Sequence, residues 1–284
     1  MAELINLDAL GEIVVNLTNK LADGIGWIAN KETPKKLAEN TYIQEIQKSD
    51  YDPITKAALI SNAKKIIKEY CNQKSIVEMA IQSLQKEAEP EKIDEDWLEQ
   101  FMDKARLVSS QEFQVIWGNI LARECNIPGS IPLTLLHTLE KMDKQDAEAF
   151  TALCRLSVQF DETYTPIIIR NKINEYERFG ITFDCLVNLR ALGLIEMDFG
   201  PAFPGYVLTT DDKSAKVLYH GKEYGPFDEN RLKVGVVIFT RTGEALCESI
   251  NVDKVEGFWE TYCLPFWEEK NTEENDDTLA AENQ

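Results

Sequence analysis

Between Asp94 and Ser130 the chain reads DEDWLEQFMDKARLVSSQEFQVIWGNILARECNIPGS, and this stretch constrains the fold more than any other. Apolar residues recur at three- and four-residue intervals, first as Trp97, Leu98, Phe101, Met102 and Ala105, then as Phe113, Ile116, Trp117, Ile120 and Leu121. That spacing lays one apolar stripe along each of two successive helices, and both stripes need a partner to bury them. Asp94 or Asp96 is placed to cap the first helix, with acids in the first turn where the helix dipole favours them. Ser109 and Glu112 have the spacing of a capping box for the second, and Pro128-Gly129-Ser130 stops it. Asp94, Glu95, Asp96 and Glu99 resemble an oxygen-rich magnesium site, with Glu95 and Glu99 one turn apart. No further ligand is spaced to complete that site, and helix-end chemistry accounts for all four acids.

Helical patterning extends on both sides. Leu4, Leu7, Leu10, Val14, Leu17 and Leu21 form one apolar face, interrupted by Gly24-Ile25-Gly26 with Trp27 beside it. Pro34 and Pro53 each suit the first turn of a new helix. The spacing predicts one helix through Ile54–Tyr70 and another from Asn72 to Lys86, then a short polar linker at Glu87–Lys92. Lys48, Lys56, Lys64, Lys65, Lys68 and Lys74 dress this half as a solvated face, without the interleaved arginines or aromatics of a nucleic-acid surface. Ile131-Pro132 opens a helix through Leu133, Leu136 and Leu139, and Asp143 with Asp146 caps the next. Everything up to about Gln159 reads as α-helical.

After Phe160 the pattern turns mixed. Tyr164–Ile169 is a short extended segment, and Ile173, Tyr176 and Phe179 mark a helix ended by Gly180. Thr182 or Asp184 caps a helix through Leu192, Gly193 stops it, and Leu194–Met197 is a strand. Further strands are predicted at Tyr206–Thr210, Ala215–His220 and Leu232–Phe239, with a hairpin at His220-Gly221. A helix after Thr240 and a last one over Val252–Lys270, kinked by Pro265, complete the order. The tail NTEENDDTLAAENQ reads as disordered.

The formal net charge of −19 repels phosphate backbones and anionic lipid on average, which favours protein or cationic partners. With only His137 and His220 and six scattered cysteines, no Cys/His zinc pattern exists, and the cysteines read as free thiols of a reducing cytoplasm. The first residues carry acids where a secretory signal needs bases, and no run reaches the roughly 18 apolar residues of a spanning helix. GxSxG, Walker-type GxxxxGK and GxGxxG are all missing, so no catalytic residue and no cofactor is assigned. His137 lies in a leucine-rich helix, and Ser109-Ser110 is explained by capping.

Two resemblances bear on fold and function. Leu189, Leu192, Gly193, Leu194 and Ile195, followed by a turn-rich excursion and then Thr240 and Gly243, resemble a winged-helix domain over roughly residues 143–250. In such domains the second helix, here Thr182–Leu192, enters the DNA major groove. Its only base is Arg190, opposed by Asp184; Arg170, Lys172 and Arg178 precede it among Glu175 and Glu177. These four form the nucleic-acid alternative, short of the roughly six to ten phosphate contacts of a tight DNA binder. The Ile93–Ser130 run carries Asp94-Glu95-Asp96-Trp97, Phe101, Val108-Ser109, Gln114, Trp117, Ile120-Leu121-Ala122, Glu124 and Pro128-Gly129-Ser130. With Leu192–Ile195, Thr240 and Gly243, it is similar to the bacterial family "domain of unknown function 2806". That family resembles the abortive-infection alpha proteins of phage defence. The resemblance implies a prokaryotic cytoplasmic protein with a role in anti-phage defence, and supplies no catalytic residue.

The expected architecture is mainly α: an N-terminal helical bundle, then a winged-helix-like α+β domain and a C-terminal helix. Its segments are 1–88, a central helical region 93–159, the mixed domain 160–270 and a disordered acidic tail 271–284. The expected function is a non-catalytic interaction or sensor protein that recognises a protein partner and self-associates. Trp27, Trp259 and Trp267 are the contact candidates, each with a core role as the competing reading. The alternatives are a nucleic-acid-binding regulator and an abortive-infection effector at the membrane through residues 4–28.

Overall fold

The computed structural model describes residues 7–27, 42–211, 216–225 and 230–268. The N-terminal residues before Leu7, the helix expected after Pro34 as far as Thr41, and the acidic tail lie outside the described residues. The chain is mainly α with small antiparallel sheets, and it divides between Leu136 and His137 into two compact units. None of the described helices is long and apolar enough to cross a membrane.

The first unit holds α1 (Leu7–Ile25), α2 (Ile43–Lys48), α3 (Pro53–Gln82), α4 (Glu95–Ala105) and α5 (Gln111–Asn126). α1 buries Ile13, Leu17 and Leu21 and ends at Gly26, whose φ of 69° lets Trp27 N–H return to the Leu21 carbonyl at 3.1 Å. Asp52 caps α3 by accepting from Ile54 and Thr55 N–H at 3.0 and 3.1 Å. α3 is a single 30-residue helix where the sequence suggested two. No Gly or Pro falls between Ile54 and Gln82, so nothing interrupts its ladder.

The Asp94–Ser130 stretch supplies the core. Trp97 stacks on Phe101 at 5.1 Å, and Phe101 meets Trp117 at 5.1 Å. Trp97, Leu98, Phe101, Trp117, Ile120 and Leu121 are all buried, each contributing about 2 kcal/mol of apolar transfer. α5 crosses α3 at Gly118, where a Cβ would stand 2.6 Å from Met79 Cβ and 3.2 Å from the Ile76 carbonyl. Side chains from α3 tie off the end of α4: Asn72 donates to the Arg106 carbonyl at 2.8 Å and Gln73 to that of Met102 at 3.0 Å.

Asp94 caps α4 through Trp97 N–H at 2.9 Å. The expected Ser109–Glu112 box does not form. α5 begins one residue later with Ser110 as its cap residue, whose hydroxyl turns to Glu112 at 3.1 Å, while Ser109 faces Asn72. The segment 87–92 is packed rather than a free linker: Ala88 and Pro90 are buried and Glu89 N–H donates to the Cys125 carbonyl at 2.8 Å.

α6 (Leu133–Lys141) contains the division between the units. The second unit continues with α7 (Lys144–Arg155), opened by a reciprocal Asp143–Asp146 capping box. β1 (Ser157–Phe160) follows at once, in a stretch the periodicity assigned largely to helix. β1 pairs with β2 (Thr163–Pro166) across a two-residue turn and with β5 (Val217–Tyr219), which pairs with β6 (Lys222–Tyr224). The antiparallel order is β2-β1-β5-β6. His220 and Gly221 both have positive φ, 47° and 77°, as a tight β5–β6 hairpin requires.

A 3₁₀ helix spans Arg170–Phe179, then α8 (Phe183–Ala191) and β3 (Ile195–Met197). β4 (Tyr206–Thr209) pairs with β7 (Arg231–Gly235), and β3 pairs with β8 (Val237–Phe239). The predicted strand 232–239 is therefore split. Gly235, at φ 100°, passes so close to the Ile168 carbonyl that a Cβ would sit 2.1 Å from its oxygen. The next N–H, of Val236, donates to that oxygen at 2.9 Å.

Thr240 caps α9 (Arg241–Glu248). The last predicted helix is shorter and changes register: a π turn at Trp259–Cys263 precedes α10 (Leu264–Glu268). Pro265 has no N–H to return to residue 261, so the ladder widens immediately before it. Tyr176, Phe179, Phe258 and Tyr262 form the aromatic core here. The buried Tyr176 hydroxyl donates to the Ile167 carbonyl at 2.9 Å and accepts from Ile169 N–H at 3.3 Å.

Candidate interaction surface

α8 is held firmly at both ends. Thr182 Oγ1 accepts from Cys185 N–H at 3.2 Å, and the Cys185 thiol receives Thr182 N–H at 3.2 Å, a reciprocal cap. At the other end Thr138 donates to the Leu192 carbonyl at 3.1 Å, and Leu194 N–H returns to that of Leu189 at 3.0 Å. The Thr240 hydroxyl donates to the Gly193 carbonyl at 2.6 Å and accepts from Gly243 N–H at 3.1 Å, while Thr240 N–H reaches the Leu194 carbonyl at 3.0 Å. One threonine thus locks the end of α8 to the start of α9. Gly243 permits the approach, since a Cβ there would lie 1.9 Å from the Leu194 oxygen. The phrases around Gly193 and Thr240, 47 residues apart, meet in one joint.

Leu186 and Leu189 face inward from α8. Its other face shows Phe183, Asp184, Val187, Asn188, Arg190 and Ala191 to solvent. Phe183 is 48% exposed and Val187 41%, one turn apart, and Phe183 lies edge-on to Phe199 at 5.2 Å. In the loop after β3, the half-buried Phe203 lies edge-on to Tyr206 at 4.8 Å. An ordered helix thus presents an apolar stripe, with Asp184 and an Arg190–Glu196 pair at 3.7 Å as its charged company.

The four basic residues of the nucleic-acid alternative are largely engaged within this unit. The half-buried Arg170 donates to the Phe203 carbonyl. Lys172 lies over the Tyr262 ring at 5.3 Å, and Arg178 over Phe179 at 4.6 Å and Tyr262 at 5.2 Å. Arg190 stands apart from them on α8 beside Glu196. Lys172 and Arg178 therefore converge on one aromatic ring.

The three tryptophans are buried. Trp27 is 7% exposed and stacks on Tyr70 at 5.7 Å. Trp259 stacks on Tyr224 at 3.6 Å and touches Trp267, whose indole N–H donates to the Lys233 carbonyl at 2.9 Å.

Two clefts flank the β5–β6 hairpin. One, of about 210 Å³, is lined by Cys154, Ser157, Tyr164, His220, Cys247 and Glu248 among others. The second, of about 250 Å³, lies between Lys222, Tyr224, Lys254 and Trp259. In the first, burial pushes the Cys154 thiol well up, and the neighbouring Cys247 thiol pushes it further, so it rests protonated. Ser157 donates to the Leu153 carbonyl at 2.9 Å, which occupies its hydroxyl. Among the described residues no group of three or more His, Cys, Asp or Glu is placed to hold a metal ion.

A family model described as "Protein of unknown function (DUF2806)" matches residues 62–262, more than half of the 284-residue chain. The chain belongs to the DUF2806 family. No curated protein and no solved structure matches it. The DUF2806 match includes the Asp94–Ser130 helices, α8 and the Gly193–Thr240 joint, and leaves Trp27 and Trp267 outside. Sequence reasoning passed over the exposed side of α8. The signal was there in Phe183 and Val187, spaced one turn apart and offset from Leu186 and Leu189. Glu124 entered only as one residue of the family resemblance, without a role. It is buried, and it accepts from Gly129 N–H at 2.6 Å and Ile131 N–H at 2.9 Å, holding the Pro-Gly-Ser turn.

Proposed function

We propose that this DUF2806 protein is a non-catalytic interaction or sensor protein of bacterial anti-phage defence, which recognises a protein partner through α8. The observation that carries the reading is the exposed Phe183–Val187 stripe on a helix capped at both ends. Ordered, exposed apolar surface of this kind is typical of protein contacts. The order α7, 3₁₀ helix, α8, then the β3–β8 pair with β4–β7 beyond it, supports a winged-helix-like reading of the second unit. α8 then takes the position of the recognition helix. The defence role rests on the resemblance of the family to abortive-infection alpha proteins. The first unit, the helical platform of the proposal, offers further contact area in Tyr51, Ile54 and Ile66, of which Ile54 is 82% exposed.

The competing nucleic-acid reading has Arg190 as the one base on α8 and a chain charge of −19 against it. The membrane reading has α1, yet Ile13, Leu17 and Leu21 of that helix are buried in its own unit. The test compares wild type with Phe183→Glu/Val187→Glu by mass photometry and co-purification from a phage-challenged host. The proposal expects an assembly in wild type, with a second copy or another protein, that the double variant loses while its melting temperature holds. An assembly indifferent to these substitutions contradicts it. So does a labelled duplex that binds at low salt and is released as salt rises.

A further inference from the structure

Six cysteines are free in this structure, and two of them share a wall of the 210 Å³ cleft beside His220. Cys154 comes from the last turn of α7 and Cys247 from the last turn of α9, 93 positions later in the chain. Both side chains line this cleft, and the two thiols are near enough to perturb each other. Cys154 is 3% and Cys247 6% exposed, so the pair is shielded from large molecules, while the cleft admits small ones. The other buried thiols, Cys125 and Cys263, line neither cleft beside the hairpin.

We propose that Cys154 and Cys247 form an oxidation site, closed to an intramolecular disulfide by a small hydroperoxide that enters this cleft. The Cys247 sulfur, the more accessible of the two, attacks the peroxide O–O bond as its thiolate. For hydrogen peroxide, one oxygen leaves as hydroxide, which takes up a proton, and the sulfur becomes a sulfenic acid. The Cys154 sulfur then displaces the sulfenic oxygen, which departs as water with the thiol proton. Two thiols and one hydrogen peroxide give one disulfide and two waters. Because burial holds Cys154 protonated, the second step is slow unless the proton leaves as the S–S bond forms, and oxidation proceeds over minutes to hours rather than at the rate of a dedicated peroxide sensor. The bond ties α7 to α9 at the cleft and links segments far apart in sequence, which constrains the unfolded chain strongly.

The full-length reduced protein is treated with hydrogen peroxide, then alkylated and digested without reductant for peptide mapping. The proposal expects one dominant link, Cys154 to Cys247, loss of two of the six reactive thiols after denaturation, and a melting temperature raised by several degrees that dithiothreitol reverses. Cys154→Ala is expected to stop at a Cys247 sulfenic acid that dimedone labels. A dominant link through any other cysteine overturns the proposal, as does a wild-type protein that keeps all its thiols or overoxidises them singly. The wild-type mapping decides the matter even where the variant fails to fold.

Discussion

Glu124 offers a severe test of how the Asp94–Ser130 stretch holds its shape. Its side chain is buried at the end of α5, and its two oxygens take the N–H groups of Gly129 and Ile131 at 2.6 and 2.9 Å. The Ile131 carbonyl in turn receives the Trp97 indole N–H at 3.0 Å, so the turn, α4 and α5 are linked through one carboxylate. Glu124→Ala strands the buried Ile131 N–H away from water, at about 1–3 kcal/mol, gives up the bond to the Gly129 N–H on the exposed side of the turn, worth about 1 kcal/mol, and opens a cavity worth about 1 kcal/mol more. A loss of about 4 kcal/mol is expected. Glu124→Gln keeps one acceptor and points an amide N–H₂ at the other donor, for a loss of about 2 kcal/mol.

The pH dependence follows from the direction of the Glu124 shift. Burial raises its pKa above the ordinary glutamate value, the two N–H donors pull it back, and the nearby Asp94 charge adds to the rise. A carboxyl raised on folding makes its contribution in full below its unfolded pKa and loses it as pH climbs through the folded pKa. The stability advantage of wild type over Glu124→Gln therefore grows as pH falls from neutral toward the ordinary glutamate range, then levels off. Urea denaturation followed by tryptophan fluorescence across that range measures it. A cost below about 1 kcal/mol for Glu124→Ala refutes the clamp, and an advantage that shrinks on acidification refutes the shift.

Three further outcomes are expected. Gly118→Ala forces α3 and α5 apart, because the new methyl lands 2.6 Å from Met79 Cβ with backbone beside it; a loss of about 2–3 kcal/mol should appear in the denaturation midpoint. Thr240→Ala removes the hydroxyl that bridges Gly193 and Gly243, lowering stability by about 1.5 kcal/mol in calorimetry. Gly243→Ala is the harsher change at the same joint, since the Leu194 oxygen that it meets at 1.9 Å is backbone, and its loss in the same assay should exceed that of Thr240→Ala.

Local chemistry was legible in the sequence, and long-range pairing was not. Asp143 caps its helix where residue type and spacing placed it, and of the pairs that spacing left open, Asp94 rather than Asp96 and Thr182 rather than Asp184 are the cap residues, because a cap needs only its own next few residues. Ser109 failed that logic because Asn72, 37 positions earlier, comes close to its hydroxyl and the helix starts later. β1 went unseen since SVQF continues a helical pattern and becomes a strand only through partners at Thr163–Pro166 and Val217–Leu218. The break at Gly235 depends on the Ile168 backbone, which no pattern within LKVGVVIF reveals. The three tryptophans drew attention by residue type, whereas the exposed aromatic of α8 is Phe183. Spacing shows that α8 has two apolar sides, Leu186–Leu189 and Phe183–Val187; only the packing tells which one is left for a partner.

The central claim is that this outward side of α8 meets a protein. Its most direct test is a photocrosslinking benzoylphenylalanine at position 183, irradiated in the bacterial host and read by mass spectrometry. The account predicts a discrete protein adduct, either a second copy or another chain, which Val187→Glu on the same helix weakens at least several-fold. Crosslinks only to nucleic acid, or none above those formed from an exposed position such as Glu162, contradict it.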